Sequence, residues 1–406
     1  MLLHLEGLPG PVRLCPRLQP VADALRAVLT GWPARIDEGE PVGDAFLEIK
    51  RGDGAFRMHR VHDGWRSIES DDLGIVCSAI VEIVNGYVDN TPGLGLLHAG
   101  SVAFGDRLVL FPASRRAGKS TLVTRLLAGG RKVFSDDLIP IELASGMAVA
   151  TGCLPRPRLP LPANATAAFR RFVDRHALAR DDAYAYVEPV NDRRVMFGDR
   201  MPLGAVVLLQ RADAPVKAAL EPAPADEVLW TLLAQDTRRN SPADSMLDDY
   251  LRIVGGVQRW RLSYFDLEDA VRCLDDAFAN WDEAPLPVRT ESRAGTAGVT
   301  ASAHPGDGAR AQLRCVEHVE ISRVGDAGFL VDRRNNTIHN VNATGMAVWC
   351  LLGEGAARDA IVDAFCDAFP GMPRETLVRD VDATLAMFGA LGLLVATEGS
   401  GEANLS

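Results

Sequence analysis

Hydrophobic and polar positions alternate in short runs through the first 90 residues. Ala45-Phe46-Leu47-Glu48-Ile49 and Phe56-Arg57-Met58-His59-Arg60-Val61 have the period of two expected of strands, and they flank a Gly52-Asp53-Gly54 turn. Residues 75–84 return to Ile and Val at helical spacing. This pattern predicts a small α/β module over 1–90 that offers no evident chemistry. From residue 96 the order becomes strand, strand, loop, helix, strand. The apolar runs 96–104 and 107–111 are joined by Gly105-Asp106, a favoured hairpin turn. A helix is expected over 119–128, with Leu122, Leu126 and Leu127 on one face and Gly129-Gly130 after its last turn. Lys132-Val133-Phe134 reads as a short strand running into Ser135-Asp136-Asp137, and residues 205–209 as a strand buried on both faces.

The periodicity stops at 284–312, where Pro, Gly, Ala and Ser dominate; this stretch is expected to be a flexible linker. It separates a region at 91–283 from a small domain at 313–398. In that domain three strands are expected, at 319–324, 328–332 and 337–341, followed by three helices. Asn342 is placed to cap the first helix, which carries Met346, Val348, Trp349, Leu351 and Leu352. The second holds Ile361, Val362, Phe365 and Phe369. The third starts near Pro373 and carries Leu377, Val381, Leu385 and Phe388 at helical spacing.

Composition narrows the class. The chain has 406 residues, 47% of them hydrophobic and 24% charged, so two or three soluble domains are expected. A net charge of -11 leaves no basic excess to neutralise phosphates, which argues against a nucleic-acid partner. No apolar run reaches the roughly 18 residues that span a bilayer. The seven cysteines show no zinc spacing, and their odd number suits reduced thiols. A cytoplasmic protein without membrane contact is expected, and an oligomer stays open.

Ala113-Ser114-Arg115-Arg116-Ala117-Gly118-Lys119-Ser120-Thr121 fits the phosphate-loop pattern G-x-x-x-x-G-K-[ST], with Ala113 in place of the first glycine. A strand before it and an amphipathic helix after it are what the pattern requires. Loop N–H groups and the helix N-terminus attract an anion. Lys119 supplies charge to the β- and γ-phosphates, and the Ser120 hydroxyl can ligate Mg²⁺. The expected ligand is ATP with Mg²⁺. Asp136 and Asp137, at the end of the next strand of a parallel βαβ unit, fall beside that loop. One carboxylate can serve the metal and the other can accept a proton; the competing reading is a pair that caps a turn. His98, followed by Ala99-Gly100-Ser101, contacts the γ-phosphate, orients the second carboxylate, or is an ordinary hydrogen-bonded core histidine. Arg156 and Arg158 lie in the proline-rich run 154–162, where they either clamp an anion or stay solvated.

His98-Ala-Gly-Ser, the 113–121 loop and Ser135-Asp136-Asp137, in that order and spacing, resemble the core of HPr kinase/phosphorylase and its relatives. The resemblance covers 92–140 well and 200–280 loosely. It implies an α/β fold with an HPr kinase-like P-loop core. It also implies His98 and Asp136 in proton transfer from an acceptor hydroxyl, with Asp137 nearer the metal. In place of that family's arginine-glycine signature loop stands the 154–162 run.

The hairpin, the Asn-x-Thr-x-x-x-x-Trp helix and the terminal Leu391-Gly392-Leu393-Leu394 resemble the PqqD family of winged-helix-like domains, with a three-stranded sheet plus three helices. Such domains recognise leader peptides of ribosomally made, modified peptides. Strand addition would place a leader along Thr337, Ile338, His339, Asn340 and Val341, with Asp380 and Thr384 on the helical side; Leu377 and Val381 read better as core. Together the two resemblances imply a kinase that phosphorylates a serine or threonine hydroxyl of a precursor peptide, as in lasso-type peptide tailoring. Two alternatives stay open: a folded protein or small molecule as acceptor, and a nucleotide-dependent escort that presents peptide to another enzyme.

Overall fold

A computed structural model describes residues 1–37, 44–52, 55–61, 63–112, 117–190, 193–238, 241–281, 288, 290–293 and 312–397. The chain divides into two compact units, one of Met1–Asn240 with Asp249–Leu286 and the other of Ser241–Asp248 with Pro287–Ser406. Among the described residues no helix is long and apolar enough to cross a membrane.

The first unit begins with β1 (Leu2–Leu5), β2 (Val12–Leu14), α1 (Gln19–Val28), β3 (Ala34–Asp37), β4 (Leu47–Arg51), β5 (Phe56–Arg60), β6 (Arg66–Ile68) and α2 (Asp72–Asp89). The strands form one sheet in the order β3-β1-β2-β4-β5-β6. Alternation drives it: Leu47, Ile49, Phe56 and Met58 face the core, while Lys50 and Arg57 stay exposed. The apolar side packs with Val21, Leu25 and Val28 of α1 and Ile75, Val76, Ala79 and Ile83 of α2. The Asp71 carboxylate caps α2 by accepting the Gly74 N–H at 2.7 Å. This core continues through Leu94, Leu96, Leu138, Leu154 and Tyr186, so residues 1–90 and the region after them share one packed interior.

The second sheet begins with β7 (Leu94–Phe104), β8 (Arg107–Pro112), α3 (Lys119–Ala128), β9 (Val133–Ser135), β10 (Leu138–Glu142) and β11 (Met147–Val149). There follow α4 (Ala167–His176), β12 (Ala177–Arg180), β13 (Ala185–Val187), β14 (Arg200–Arg211), β15 (Ala219–Pro222), α5 (Ala225–Gln235), α6 (Ala243–Gly256), β16 (Gln258–Tyr264) and α7 (Leu267–Ala277). The order is β11-β10-β7-β8-β14-β16-β15, with β9 beside β7, and β12 pairs β13 separately. Gly105 turns the β7–β8 hairpin at φ +64°. The helix expected at 119–128 is α3; it buries Leu122, Val123, Leu126 and Leu127 and ends at Gly130, φ +91°.

One expectation needs correction. A simple βαβ unit would put β8 and β9 side by side, yet β7 lies between them, antiparallel to both. The two strands therefore run in the same direction without being neighbours. The parallel neighbours are β8, β14 and β16. The long strand β7 is shared along one edge by β9 at Ser101–Val102 and by β10 at Leu94–His98.

The second unit contains β17 (Thr290–Arg293), β18 (Gln312–Cys315), β19 (Val319–Val324), β20 (Ala327–Asp332), β21 (Thr337–Val341), α8 (Ala343–Gly353), α9 (Arg358–Ala368), α10 (Arg374–Ala390) and β22 (Leu394–Thr397). The expected three-stranded sheet has a fourth member, in the order β17-β19-β20-β21, because Thr290–Arg293 pairs with β19. That segment falls inside the stretch expected as linker; apart from it and residues 288 and 312, 284–312 lies outside the described residues. β18 and β22 form a further two-stranded pair that periodicity did not reveal. Asn342 caps α8 as expected, accepting the Gly345 N–H at 2.8 Å. Ile361, Val362 and Phe365 are buried, whereas Phe369 lies past the end of α9 and is 49% exposed. Leu377, Val381, Leu385 and Phe388 of α10 are core.

Candidate functional site

The site lies where β7 changes partners. Leu138 of β10 is paired with His98, while β9 meets β7 three positions on, at Ser101. Asp136 and Asp137 are the bend between β9 and β10, so both are held against β7 beside His98. The Ser135 hydroxyl tightens that bend by accepting the Asp137 N–H at 3.0 Å. His98 Nε2 and Asp137 Oδ1 are 2.8 Å apart. The Arg156 backbone N–H donates to Asp136 Oδ2 at 2.8 Å.

Lys119 reaches the same place from the first turn of α3. Its stem runs over Gly100, where an added Cβ would meet Val123 Cγ2 at 2.7 Å and Lys119 Cγ at 3.2 Å. Residue 100 is thus small so that the lysine can lie on the strand. Lys119 is only 7% exposed, and its ammonium has no hydrogen-bond partner among the described residues. A buried cation without a partner is a costly arrangement that an anionic ligand would relieve. Gly118 precedes it in the left-handed region, φ +89°. Ala113, Ser114, Arg115 and Arg116 lie outside the described residues; Ala117 and Gly118 lead into α3, and Ser120 and Thr121 follow Lys119 in its first turn.

The two aspartates sit in different electrostatic surroundings. Burial, reinforced by the charge of Asp137, raises Asp136 to about 6, against the Arg156 N–H and the Lys119 charge. Burial also pushes Asp137 upward, but the hydrogen bond and charge of His98, with Lys119 and Arg156, hold it below the usual carboxylate range. Burial lowers the Lys119 ammonium, opposed by both carboxylates.

A cleft of about 420 Å³, counted with its open mouth, adjoins the acid pair. Its polar end is Ser135, Asp136, Asp137, Thr151 and Arg156; its apolar wall includes Cys77, Ile80 and Val84 of α2, Leu154 and Tyr186. The N-terminal module therefore contributes to the site, which its sequence did not indicate. The 154–162 run is extended as expected only as far as Arg158, with backbone bonds from Val187 N to Pro155 O and from Ala185 N to Pro157 O; it then bends at Leu159-Pro160, which is a cis peptide bond. Arg156 lies in the cleft with its guanidinium 4.2 Å from the Tyr184 ring centre. Arg158 is exposed and donates to the Tyr184 hydroxyl at 3.0 Å, outside the cleft lining.

Among the described residues no cluster of three or more His, Cys, Asp or Glu side chains could hold a metal by itself. Mg²⁺ needs no such cluster, since it is commonly held by one or two carboxylates together with substrate phosphates. Ser120, with Asp137 held as a carboxylate, is a donor set of that kind.

In the second unit β21 is, among the described residues, the edge of its sheet, paired with β20 on one side. Thr337 and Asn340 are exposed, Ile338 and His339 are half-buried, and Val341 is core. Thr337 Oγ1 and His339 Nε2 approach at 3.1 Å. Asp380 is exposed and Thr384 half-buried on α10.

Residues 328–394 match the family described as Coenzyme PQQ synthesis protein D (PqqD), so the second unit contains a PqqD domain. No curated protein matches the chain. Among solved structures, a chain described as "TbiB1 in Complex with the TbiA(beta) Leader Peptide" is 27% identical, with 21% of this chain and 99% of that chain covered and a TM-score of 0.20.

Proposed function

We propose that this chain is an ATP- and Mg²⁺-dependent kinase that phosphorylates a serine or threonine hydroxyl of a ribosomally made precursor peptide, whose leader the PqqD domain holds. The observation that carries the reading is the convergence on one strand of a buried Lys119, its ammonium without a hydrogen-bond partner among the described residues, and an acid pair split by its surroundings. Such pairs mark acid–base chemistry.

In the proposed reaction Asp136, one oxygen of which is held by the Arg156 N–H, accepts the proton of the acceptor hydroxyl on its other oxygen. The hydroxyl oxygen bonds to the γ-phosphorus as the bond to the β-phosphate oxygen breaks, releasing ADP. Lys119 and the loop N–H groups carry the charge of the transferring group. Ser120 and Asp137 would hold Mg²⁺, which would supply further neutralisation of the phosphate charge. His98 fixes the orientation of Asp137. The proton on Asp136 returns to solvent, since its pKa of about 6 lies below neutral pH.

The edge of β21 offers backbone groups to an extended leader, the strand-addition mode. Because both units belong to one chain, capture of the leader raises the effective concentration of the peptide's core near the kinase site.

The test uses the full chain, γ-labelled ATP with Mg²⁺, and precursor peptides encoded beside its gene, with phosphopeptide read by mass spectrometry. Transfer that weakens when the leader is removed supports the reading. ATP and peptide both bound without transfer would make the protein an escort. No ATP bound at all would remove the phosphate-loop assignment.

A further inference from the structure

Tyr264 closes β16, the third of the parallel strands, and sequence pattern gives it no role. Its ring is buried, 3% exposed, in the core cluster that also holds Val102, Phe111 and Leu122. Its backbone is fixed on β14: its Cα pairs with Arg211, and its carbonyl accepts the Ala212 N–H at 2.8 Å. The side chain is thus a rigid arm with a single polar tip. That tip meets the phosphate loop. The hydroxyl donates to the Ala117 carbonyl at 3.4 Å, a long hydrogen bond, and a Cβ added at Gly118 would lie 2.8 Å from the same oxygen.

The Ala117 carbonyl and the Gly118 N–H are two ends of one planar trans peptide, so they point in opposite directions. Holding the carbonyl toward Tyr264 turns the N–H away from the core, as an anion cradle needs. Gly118 is required twice over: its φ of +89° disfavours a side chain, and the tyrosine hydroxyl occupies the space a Cβ would take. We propose that Tyr264 is a positioning residue of the phosphate loop, whose hydroxyl sets the Ala117–Gly118 peptide so that the Gly118 N–H faces the terminal phosphates of the nucleotide. This rests on the triphosphate reading of residues 113–121. Burial keeps the phenol protonated well past neutral pH, so the donor persists throughout the working range.

Tyr264→Phe removes the hydroxyl and keeps the ring. In the full chain, binding of ATP·Mg²⁺, of inorganic tripolyphosphate and of adenosine is measured by calorimetry, and thermal unfolding is followed without ligand. Losing one hydrogen bond to a carbonyl is expected to weaken ATP and tripolyphosphate binding by roughly threefold to tenfold. Adenosine binding stays as in the parent, and the unfolding midpoint falls by no more than about 2–4 °C. Equal ATP and tripolyphosphate affinities in variant and parent would overturn the proposal. So would a parallel loss of adenosine affinity and thermal stability, which marks a structural role only. If the parent itself binds neither ATP nor tripolyphosphate, the triphosphate reading falls and takes this one with it.

Discussion

Asp136→Asn separates a catalytic base from a turn cap. The parent carboxylate is buried beside Asp137, and its pKa rises from 3.8 to about 6. A raised acid is easier to fold protonated than ionised. Its favourable share of stability is present below 3.8 and is lost as pH climbs through about 6. The rise corresponds to a penalty of order 3 kcal/mol at pH 7.5. Asparagine has nearly the same shape, and its oxygen still accepts the Arg156 N–H, but it carries no charge to desolvate. The variant is therefore expected to be more stable than the parent at pH 7.5, by up to about 3 kcal/mol, and equal to it near pH 4. Urea denaturation followed by tryptophan fluorescence suits the measurement, because Trp32, Trp65, Trp230, Trp260 and Trp281 belong to the first unit. The same variant should bind ATP and lose transfer. A variant less stable than the parent at pH 7.5 would show that the carboxylate is a stabilising cap. A normal transfer rate would remove Asp136 from the role of base.

Other outcomes follow from the same geometry. Transfer by the parent should rise with pH through about 6 and fall roughly tenfold per pH unit below it, read as the pH profile of the rate at saturating peptide. Gly100→Ala should force Val123, and with it α3 and the Lys119 stem, to shift on the strand, raising the KM for ATP and lowering stability by about 1–3 kcal/mol in denaturant titrations. Asn340→Pro deletes an N–H that faces away from β20, because the alternating ladder bonds run through the Leu330–His339 pair, and should weaken leader binding roughly tenfold in fluorescence anisotropy, with ATP affinity unchanged.

What could be read ahead of the structure was local. The β7–β8 hairpin, α3 with its glycine end, β9 running into the acids, and the helices of the second unit all follow from periods of two or 3.6 and from turn residues within a few positions. What could not be read depends on pairing between distant segments. The insertion of β7 between β8 and β9 is a matter of sheet order, which no window reports. The wall made by Cys77, Ile80 and Val84 is written as an ordinary apolar helix face. Tyr264 ends a strand more than 140 positions from the loop it touches, and nothing in its neighbours marks it. Phe369 was assigned to a helix by its spacing, but α9 stops one residue before it. The need for glycine at position 100 is equally non-local, because it comes from Val123 and Lys119 packing on the strand.

Adjacent aspartates present a choice that spacing alone left open. A base must change protonation during the reaction, and a metal ligand must not. Asp136, raised to about 6 by burial and by its neighbour, titrates close to working pH. Asp137, held low through His98, stays an anion there. Under the proposed kinase reading each environment suits one task, Asp136 that of the base and Asp137 that of the metal-side carboxylate. His98→Ala tests the division from the metal side. It removes the donor 2.8 Å from Asp137, leaving burial, which pushes the carboxyl upward, less opposed. Protonation then competes with Mg²⁺ at acid pH. The Mg²⁺ concentration for half-maximal transfer should rise several-fold more at pH 5.5 than at pH 8, where Asp137 is ionised with or without the histidine. A ratio of variant to parent that is the same at both pH values would mean that His98 acts by some route other than the charge state of Asp137.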